Sequence, residues 1–546
     1  MTIAGLQDRA TERFADEPMV LTAQRRMTYR QVQQESRRLA SGLIAAGLRP
    51  SEHVALIMAN LPEFVLVKLA IARAGAVCVP VNFLLRNQEL AYVLRQSDSR
   101  FLITMAAFRG HDYLADLAAI HHELPDLREV VVLPDEGGAA AGGSLTLETL
   151  AALATPESDA ELARREAAAD GHAMSDIIYT SGTTGSPKGV MLTHDMVLRA
   201  AYSSALTRSF ETGRRIQYAM PMYHVFGYVE CWIASMFVGG AVIPHAVFDP
   251  SEMLDWAERF AASDIVCVPP MTGRLIDAAR QRGHAPAFHA VFNSGGVNVP
   301  TIWQEIRDVL GAKEIHTAYG MTETTASAVC TLTEDPESRL LTSNGGPKIA
   351  GSAGDPALAG RVSEYRVVDP ETGAILPPGS DGELQVRGPI VTAGYYRKPD
   401  ETRDAFTPDG WLRTGDIGKL SADGYVALTG RIKESYRCGG EMVMPREIEL
   451  LFEDYPGIAQ ALAVGVPDAK MGEVGCLCLV PGAGVQPDDR ELLDLCARRL
   501  ARFKVPRHVL WLEPGDIPLT VTGRPQKFRL AQLAARLIEE RQEDVH

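Results

Sequence analysis

Long apolar runs are missing from this 546-residue chain. No stretch approaches the ~20 apolar residues of a membrane-spanning helix, which argues against a transmembrane segment. A basic excess is missing too. Lys and Arg number 54 against 69 Asp and Glu, a net charge of −15, so neither nucleic acid nor an anionic membrane is expected as the main partner. Cysteine is sparse, with eight in the whole length and no metal-ligand spacing. Cys476-x-Cys478 merely sets two thiols on one face of a strand. Reduced, mostly buried cysteines in a cytoplasmic protein are expected. No leader pattern is read at the N-terminus, where Asp16, Glu17 and Arg25 interrupt apolar sequence. The final Glu-Asp-Val-His carries no peroxisomal address. The remainder, 46% hydrophobic and 23% charged, has the balance of an ordinary soluble globular protein, with length for about three to four domain-sized units.

Against this plain background, residues 179–190 read Tyr-Thr-Ser-Gly-Thr-Thr-Gly-Ser-Pro-Lys-Gly-Val. The block follows the apolar pair Ile177-Ile178 and gathers five Ser/Thr hydroxyls, three glycines and Lys188. Glycines let backbone amides turn inward, hydroxyls add donors, and lysine adds charge, which together make a cradle for phosphate oxygens. It is not a Walker A loop, because Pro187 stands where that pattern needs a glycine before its lysine.

Short Val/Ile-rich runs alternate with helical patterns over roughly the first 330 residues, which predicts a parallel α/β fold. Ala290-Val291-Phe292 reads as a strand and Ser294-Gly295-Gly296 as a turn. Pro300 opens a helix with Ile302, Ile306, Val309 and Leu310 on its apolar face, and Gly311 closes it. A strand from Ile315 to Ala318 is expected to end at Tyr319-Gly320. Both turns would then lie at carboxyl ends of strands, where open α/β sheets bind ligands. From about Gly351 to Gly430 the texture becomes short strands broken by Gly, Pro and Asp, predicting a small β subdomain. Asp135 to Ser144 and Leu340 to Gly351 read as surface loops.

The block at 179–190 resembles the phosphate loop of the adenylate-forming superfamily: acyl-CoA synthetases, peptide-synthetase adenylation domains and luciferases. The likeness runs nearly end to end and is strongest toward acyl-CoA synthetases. Val54-Ala55-Leu56, Asn60, Pro62-Glu63-Phe64, Gly75-Ala76-Val77 and Pro80-Val81-Asn82 resemble the family's opening segment. Pro221-Met222-Tyr223-His224 with Gly227, Tyr319-Gly320-Met321-Thr322-Glu323-Thr324, and Gly382-Glu383-Leu384 follow in family order. So do Gly394-Tyr395, Trp411 to Asp416, Gly430 to Glu434, and Pro445 to Glu449. The resemblance implies an α/β fold: a large N-terminal AMP-binding domain of stacked α/β subdomains (1–431), including a small β-barrel-like subdomain at about 351–430. A smaller mobile α+β C-terminal lid domain (432–546) would follow, hinged at Lys433.

It also implies a chemistry. A carboxylate attacks the α-phosphate of ATP to give acyl-AMP, and coenzyme A then displaces AMP. The implied phosphate-binding residues are Thr180, Ser181, Gly182, Thr183, Thr184, Gly185 and Lys188. Tyr319 would stack on adenine, Thr322 would contact the α-phosphate, Glu323 would hold Mg²⁺, and Asp416 and Arg431 would grip the ribose. His224 would gate the thiol tunnel, and the Gly440 face would serve the thiol step. Val225, Phe226, Gly227, Tyr228, Gly295, Gly296, Val297 and Ala318 would line the acyl pocket. Small residues beside aromatics, with no Lys or Arg among them, predict a hydrophobic monocarboxylic acid. Segment 221–229 contains no Asp, which disfavours an amino-acid substrate.

One departure matters. The family's adenylation lysine, in a Thr-Gly-Lys turn, is replaced here by Arg524 in Thr522-Gly523-Arg524. Arginine keeps the charge but exchanges a compact ammonium for a planar fork. Lys527, three residues on, matches a second lysine usual in the family. Met442 also stands where relatives often have Asn. The expected activity is therefore thioesterification of a preformed acyl-adenylate in preference to adenylation, with a separate adenylating ligase as supplier. An ordinary two-step ligase and a non-catalytic acyl-adenylate-binding module are the alternatives, and a homodimer stays open.

Overall fold

The computed structural model describes residues 1–134, 145–180, 187–295, 301–431, 434–439, 441–453, 455–468, 470–482, 487–519 and 525–543. The loop expected at Asp135 to Ser144 lies outside them. The chain divides into two compact units. The larger comprises Met1–Glu364 and Val386–Leu412, the smaller Tyr365–Gln385 and Arg413–His546. This partition puts the strands of the expected β subdomain with the C-terminal segment, whereas the sequence-based boundary at 431/432 groups them with the N-terminal domain.

Two seven-stranded sheets build the larger unit. One runs in the order Glu314–His316, Ala290–Asn293, Asp264–Cys267, Arg215–Tyr218, Ala241–Pro244, Pro18–Leu21, Arg26–Thr28. All its pairings are parallel except the last. The other runs Lys188–Thr193, Met174–Thr180, Val77–Val81, His53–Ile57, Ser99–Met105, Glu129–Leu133, Leu145–Thr146. It is parallel apart from the hairpin of its first two strands. His53–Ile57 and Val77–Val81 are buried along their whole lengths, as central strands covered on both faces must be.

The carboxyl ends of the two sheets are tied by one side chain. Asn60 follows His53–Ile57 and is 5% exposed. Its amide nitrogen donates to the carbonyls of Met220 (2.9 Å) and His245 (3.0 Å), and its oxygen accepts from the Met222 N–H at 2.8 Å.

The helix Ile302–Leu310 buries Ile302, Trp303, Ile306 and Leu310 and ends at Gly311. The strand after it corrects the expectation. It stops at His316, and Ala318–Met321 belongs instead to a three-stranded sheet with Ala326–Cys330 and Gly346–Pro347. Thr317 is where the chain changes sheets: its N–H bonds Thr331 Oγ1 at 3.0 Å and its carbonyl accepts from Thr331 N at 2.9 Å. Tyr319 and Gly320 are thus strand residues, not a turn. The expected loop at Leu340 to Gly351 is also corrected, since Lys348 is buried. Its ammonium donates to the Ala200 (3.2 Å) and Ser327 (3.1 Å) carbonyls, 3.9 Å from Glu230.

In the smaller unit, a four-stranded sheet runs Glu364–Val368, Gly382–Arg387, Leu412–Leu420, Val426–Arg431. A second sheet centres on the long hairpin Ile458–Asp468 and Gly472–Pro481. His508–Trp511 joins this hairpin in parallel, and Asp489–Arg499 and Lys527–Glu543 are the main helices. Among the described residues no helix is long and apolar enough to cross a membrane. All eight cysteines are free and buried.

Candidate active site

Strand Met174–Thr180 runs parallel to Val77–Val81 and turns back as Lys188–Thr193, with Thr180 opposite Lys188. The hairpin thus ends on the two described members of the expected phosphate loop. Ser181, Gly182, Thr183, Thr184 and Gly185 lie outside the described residues. Lys188 is half-buried, its ammonium 4.9 Å from the centre of the Tyr395 ring.

Glu323 stands in a single helical turn, Thr322–Thr324, between two strands of the three-stranded sheet. It is 7% exposed; its Oε1 accepts from the Tyr395 hydroxyl at 3.0 Å and its carbonyl from the Thr392 N–H at 2.8 Å. Thr322 is half-buried and Tyr319 buried. The residues that follow are strained: Thr325 and Ala326 have φ of 56° and 111°, which side chains with a Cβ avoid. Two buried contacts hold them there. Thr325 Oγ1 donates to the Ile390 carbonyl at 2.7 Å, and the Ser327 N–H donates to Glu230 Oε1 at 2.9 Å.

The segment from Pro221 leads into a helix, Phe226–Ile233, with π-type i→i+5 bonding. A Cβ on Gly227 would sit 2.6 Å from the Met220 and Pro221 carbonyl oxygens, so this glycine serves close backbone packing. Tyr228, expected in the acyl pocket, is fully buried. Its hydroxyl lies 3.4 Å from Asp176 Oδ2, and Lys68 Nζ, ion-paired with Asp176, sits 4.1 Å from its ring centre. Phe226 lies near Gly295, another residue expected in the pocket. It packs edge-on to Phe292 at 5.5 Å, and a Cβ on Gly295 would lie 3.6 Å from its ring and 3.3 Å from Val268. Ala318 and Val225 are buried; the Ala318 carbonyl accepts from Ser294 Oγ at 2.6 Å. Gly296 and Val297 lie outside the described residues. His224 stacks obliquely on Tyr223 at 4.7 Å, and burial pushes its pKa down to about 4. It is therefore a neutral imidazole at pH 7.

In the smaller unit, Asp416 and Arg431 pair across adjacent antiparallel strands, with Arg431 Nε 2.7 Å from Asp416 Oδ1. Asp416 is a buried strand residue, which rules out an ordinary turn aspartate. Lys433, Gly440 and Arg524 lie outside the described residues. The ends of the segment carrying Arg524 are described: Leu519 pairs with Pro525, and Gln526 Nε2 donates to the Leu519 carbonyl at 3.0 Å. Lys527 begins the next helix and is 12% exposed; its ammonium lies 2.7 Å from Glu449 and 3.6 Å from Glu434.

Among the described residues no group of three or more His, Cys, Asp or Glu is arranged to hold a metal. A buried carboxylate such as Glu323, near the hairpin that carries Lys188, is the kind of group that could hold Mg²⁺, which binds through one or two carboxylates and takes other ligands from phosphates and water. Asn60, Tyr395 and Glu230 make contacts that no local pattern signals: Asn60 with His245, Tyr395 with Glu323 and Glu230 with Ser327, partners 185, 72 and 97 residues away.

A family model described as AMP-binding enzyme matches residues 6–396, and one for the AMP-binding enzyme C-terminal domain matches 447–524. The chain is 33% identical to Bacillus subtilis YngI, an acyl-CoA synthetase by name, over 97% of this chain and 96% of that one. It is 31% identical to a Mycobacterium tuberculosis CoA ligase named for a methyl-dioxo-octahydroindenyl propanoate, over 97% and 99%. It is 30% identical to the zebrafish (Danio rerio) medium-chain acyl-CoA ligase ACSF2, over 95% and 86%. ATP-bound MatB from Rhodopseudomonas palustris superposes with a TM-score of 0.82 at 27% identity, covering 98% of this chain and all of that one. ATP or AMP and coenzyme A are the substrates of such CoA ligases. The chain belongs to the AMP-binding enzyme family, among its acyl-CoA ligases, which join an acid to a thiol through an adenylate.

Proposed function

We propose that this enzyme forms the CoA thioester of a hydrophobic monocarboxylic acid and that thioesterification of a preformed acyl-adenylate is its stronger half-reaction. In the first half-reaction a carboxylate oxygen attacks the α-phosphorus of ATP and pyrophosphate leaves. In the second, the coenzyme A thiolate attacks the acyl carbon and AMP leaves. The first step gathers anions, so it depends most on fixed positive charge. Mg²⁺, when bound, would supply part of that charge. Thr180 and Lys188 would hold the β- and γ-phosphates, Tyr319 the adenine, and Thr322 the α-phosphate. Glu323 would hold the metal, and Asp416 with Arg431 the ribose hydroxyls. A neutral His224 leaves the thiol route free of charge. Phe226, Phe292 and Val268 favour an apolar acyl group, in keeping with relatives named for medium-chain and fused-ring acids. The free cysteines suit a reducing cytoplasm.

The observation that carries the split between half-reactions is Lys527. Held by Glu449 and Glu434, it is not a loose cation that replaces the missing lysine, and Arg524 must serve alone. Losing one preorganised charge contact costs about 10²–10³ in rate, softened here by the retained arginine charge. Acid-dependent ATP–pyrophosphate exchange, run beside thioesterification of synthetic acyl-AMP in wild type and Arg524→Lys, tests this. Weak exchange rescued by lysine is expected. Robust wild-type exchange with the true acid would leave an ordinary two-step ligase. No thioester from any acyl-AMP in a broad panel would leave a binding module.

A further inference from the structure

Lys188, on a strand, and Glu323, in the helical turn Thr322–Thr324, are oppositely charged types, and one side chain meets both. The Tyr395 hydroxyl donates to Glu323 Oε1 at 3.0 Å, and its ring centre is 4.9 Å from Lys188 Nζ. The backbone fixes this position from two sides. Tyr395 bridges Val190 in antiparallel fashion, the Met191 N–H donates to the Gly394 carbonyl (3.2 Å), and the Tyr396 N–H donates to the Gly189 carbonyl (2.8 Å). The Tyr395 N–H in turn donates to Thr402 Oγ1 at 3.0 Å. The tyrosine is thus stitched to the strand that carries Lys188 while its phenol reaches the turn that carries Glu323.

A lysine and a carboxylate brought together in a partly buried cleft pair with each other. Such a pair would take the lysine from phosphate and the carboxylate from a metal. An aromatic ring between them satisfies each without joining them: its face attracts the ammonium and its hydroxyl donates to the carboxylate. We propose that Tyr395 is a positioning residue that keeps Lys188 and Glu323 apart and aimed, so that the phosphate cation and the metal carboxylate do not neutralise each other. The inference rests on the nucleotide site proposed above.

The test is calorimetric binding of ATP at graded Mg²⁺, and of AMP without metal, to wild type, Tyr395→Phe and Tyr395→Leu, with Tm measured for each. Tyr395→Phe keeps the ring and loses only the hydroxyl. Its half-saturating Mg²⁺ for ATP binding should rise about tenfold, the worth of one hydrogen bond to a charged group, with AMP affinity unchanged. Tyr395→Leu also removes the ring, so ATP affinity should fall further even at saturating Mg²⁺, again with AMP unchanged. Wild-type Mg²⁺ dependence in both variants overturns the proposal. So does a parallel loss of AMP affinity and Tm, which would make Tyr395 a packing residue. Wild type that binds neither ATP nor AMP overturns the nucleotide site itself, and the proposal with it.

Discussion

Asp416 and Arg431 face each other directly across one antiparallel strand pair, with Arg431 Nε 2.7 Å from Asp416 Oδ1. The Asp416 N–H also donates to Thr414 Oγ1 at 3.1 Å, while that hydroxyl donates to the Leu384 carbonyl at 2.6 Å. The carboxylate is therefore fixed before any ligand arrives, as a diol contact requires. Asp416→Asn keeps the shape and loses the charge. AMP affinity should fall about ten- to a hundredfold, the worth of one charge-assisted hydrogen bond, with little change in Tm. Calorimetric titration with AMP checks it, and an unchanged affinity would remove Asp416 from the nucleotide site.

Lys527 offers a cleaner separation of structure from catalysis. If its ammonium serves Glu449 and Glu434, Lys527→Met should lower stability by about 1.5–3 kcal/mol, the range for hydrogen bonds to charged groups. Pyrophosphate exchange per folded molecule should then change little. The opposite pattern, exchange lost at full stability, would identify Lys527 as the adenylation cation after all.

Gly295 has φ of +84°, and its Cβ position lies 3.3 Å from Val268 Cγ1. Gly295→Ala should cost about 1 kcal/mol or more through backbone strain. In thioesterification, bulky acyl-adenylates should lose more of kcat/KM than acetyl-AMP. Equal losses across acyl sizes would mean that Gly295 does not border the acyl group.

Burial pushes His194, His224 and His245 down to about 4. Their folded pKa values lie below the unfolded value of about 6.5. Stability from these groups is complete above pH 6.5 and is lost as pH falls toward 4, because the unfolded chain then binds the extra protons. Chemical denaturation between pH 7 and 5, mostly above the carboxylate range, should show stability falling with pH. In His245→Gln the slope should be shallower by up to one proton. A flat profile over that range would contradict the buried neutral state.

Local periodicity made much of the larger unit legible. The strand at Ala290, the apolar face of Ile302, Ile306 and Leu310, and the end at Gly311 follow from side-chain spacing and cap chemistry, while Pro300, expected to open the helix, lies outside the described residues. What stayed hidden depended on distant partners. Nothing near Lys348 announces a burial that requires Ala200, Ser204 and Glu230. The switch of sheets at Thr317 depends on Thr331. Nothing in the sequence around Tyr228 signals its contacts with Asp176 and Lys68, both distant along the chain.

Asn60 uses both hydrogen-bonding ends of its carboxamide across the seam between the two large sheets. Aspartate has the shape but no N–H for the two carbonyls, and leucine has the shape with neither donor nor acceptor. At this seam the two large sheets are consequently joined by an uncharged group that salt does not screen, and their carboxyl ends cannot slide past each other there without breaking that link.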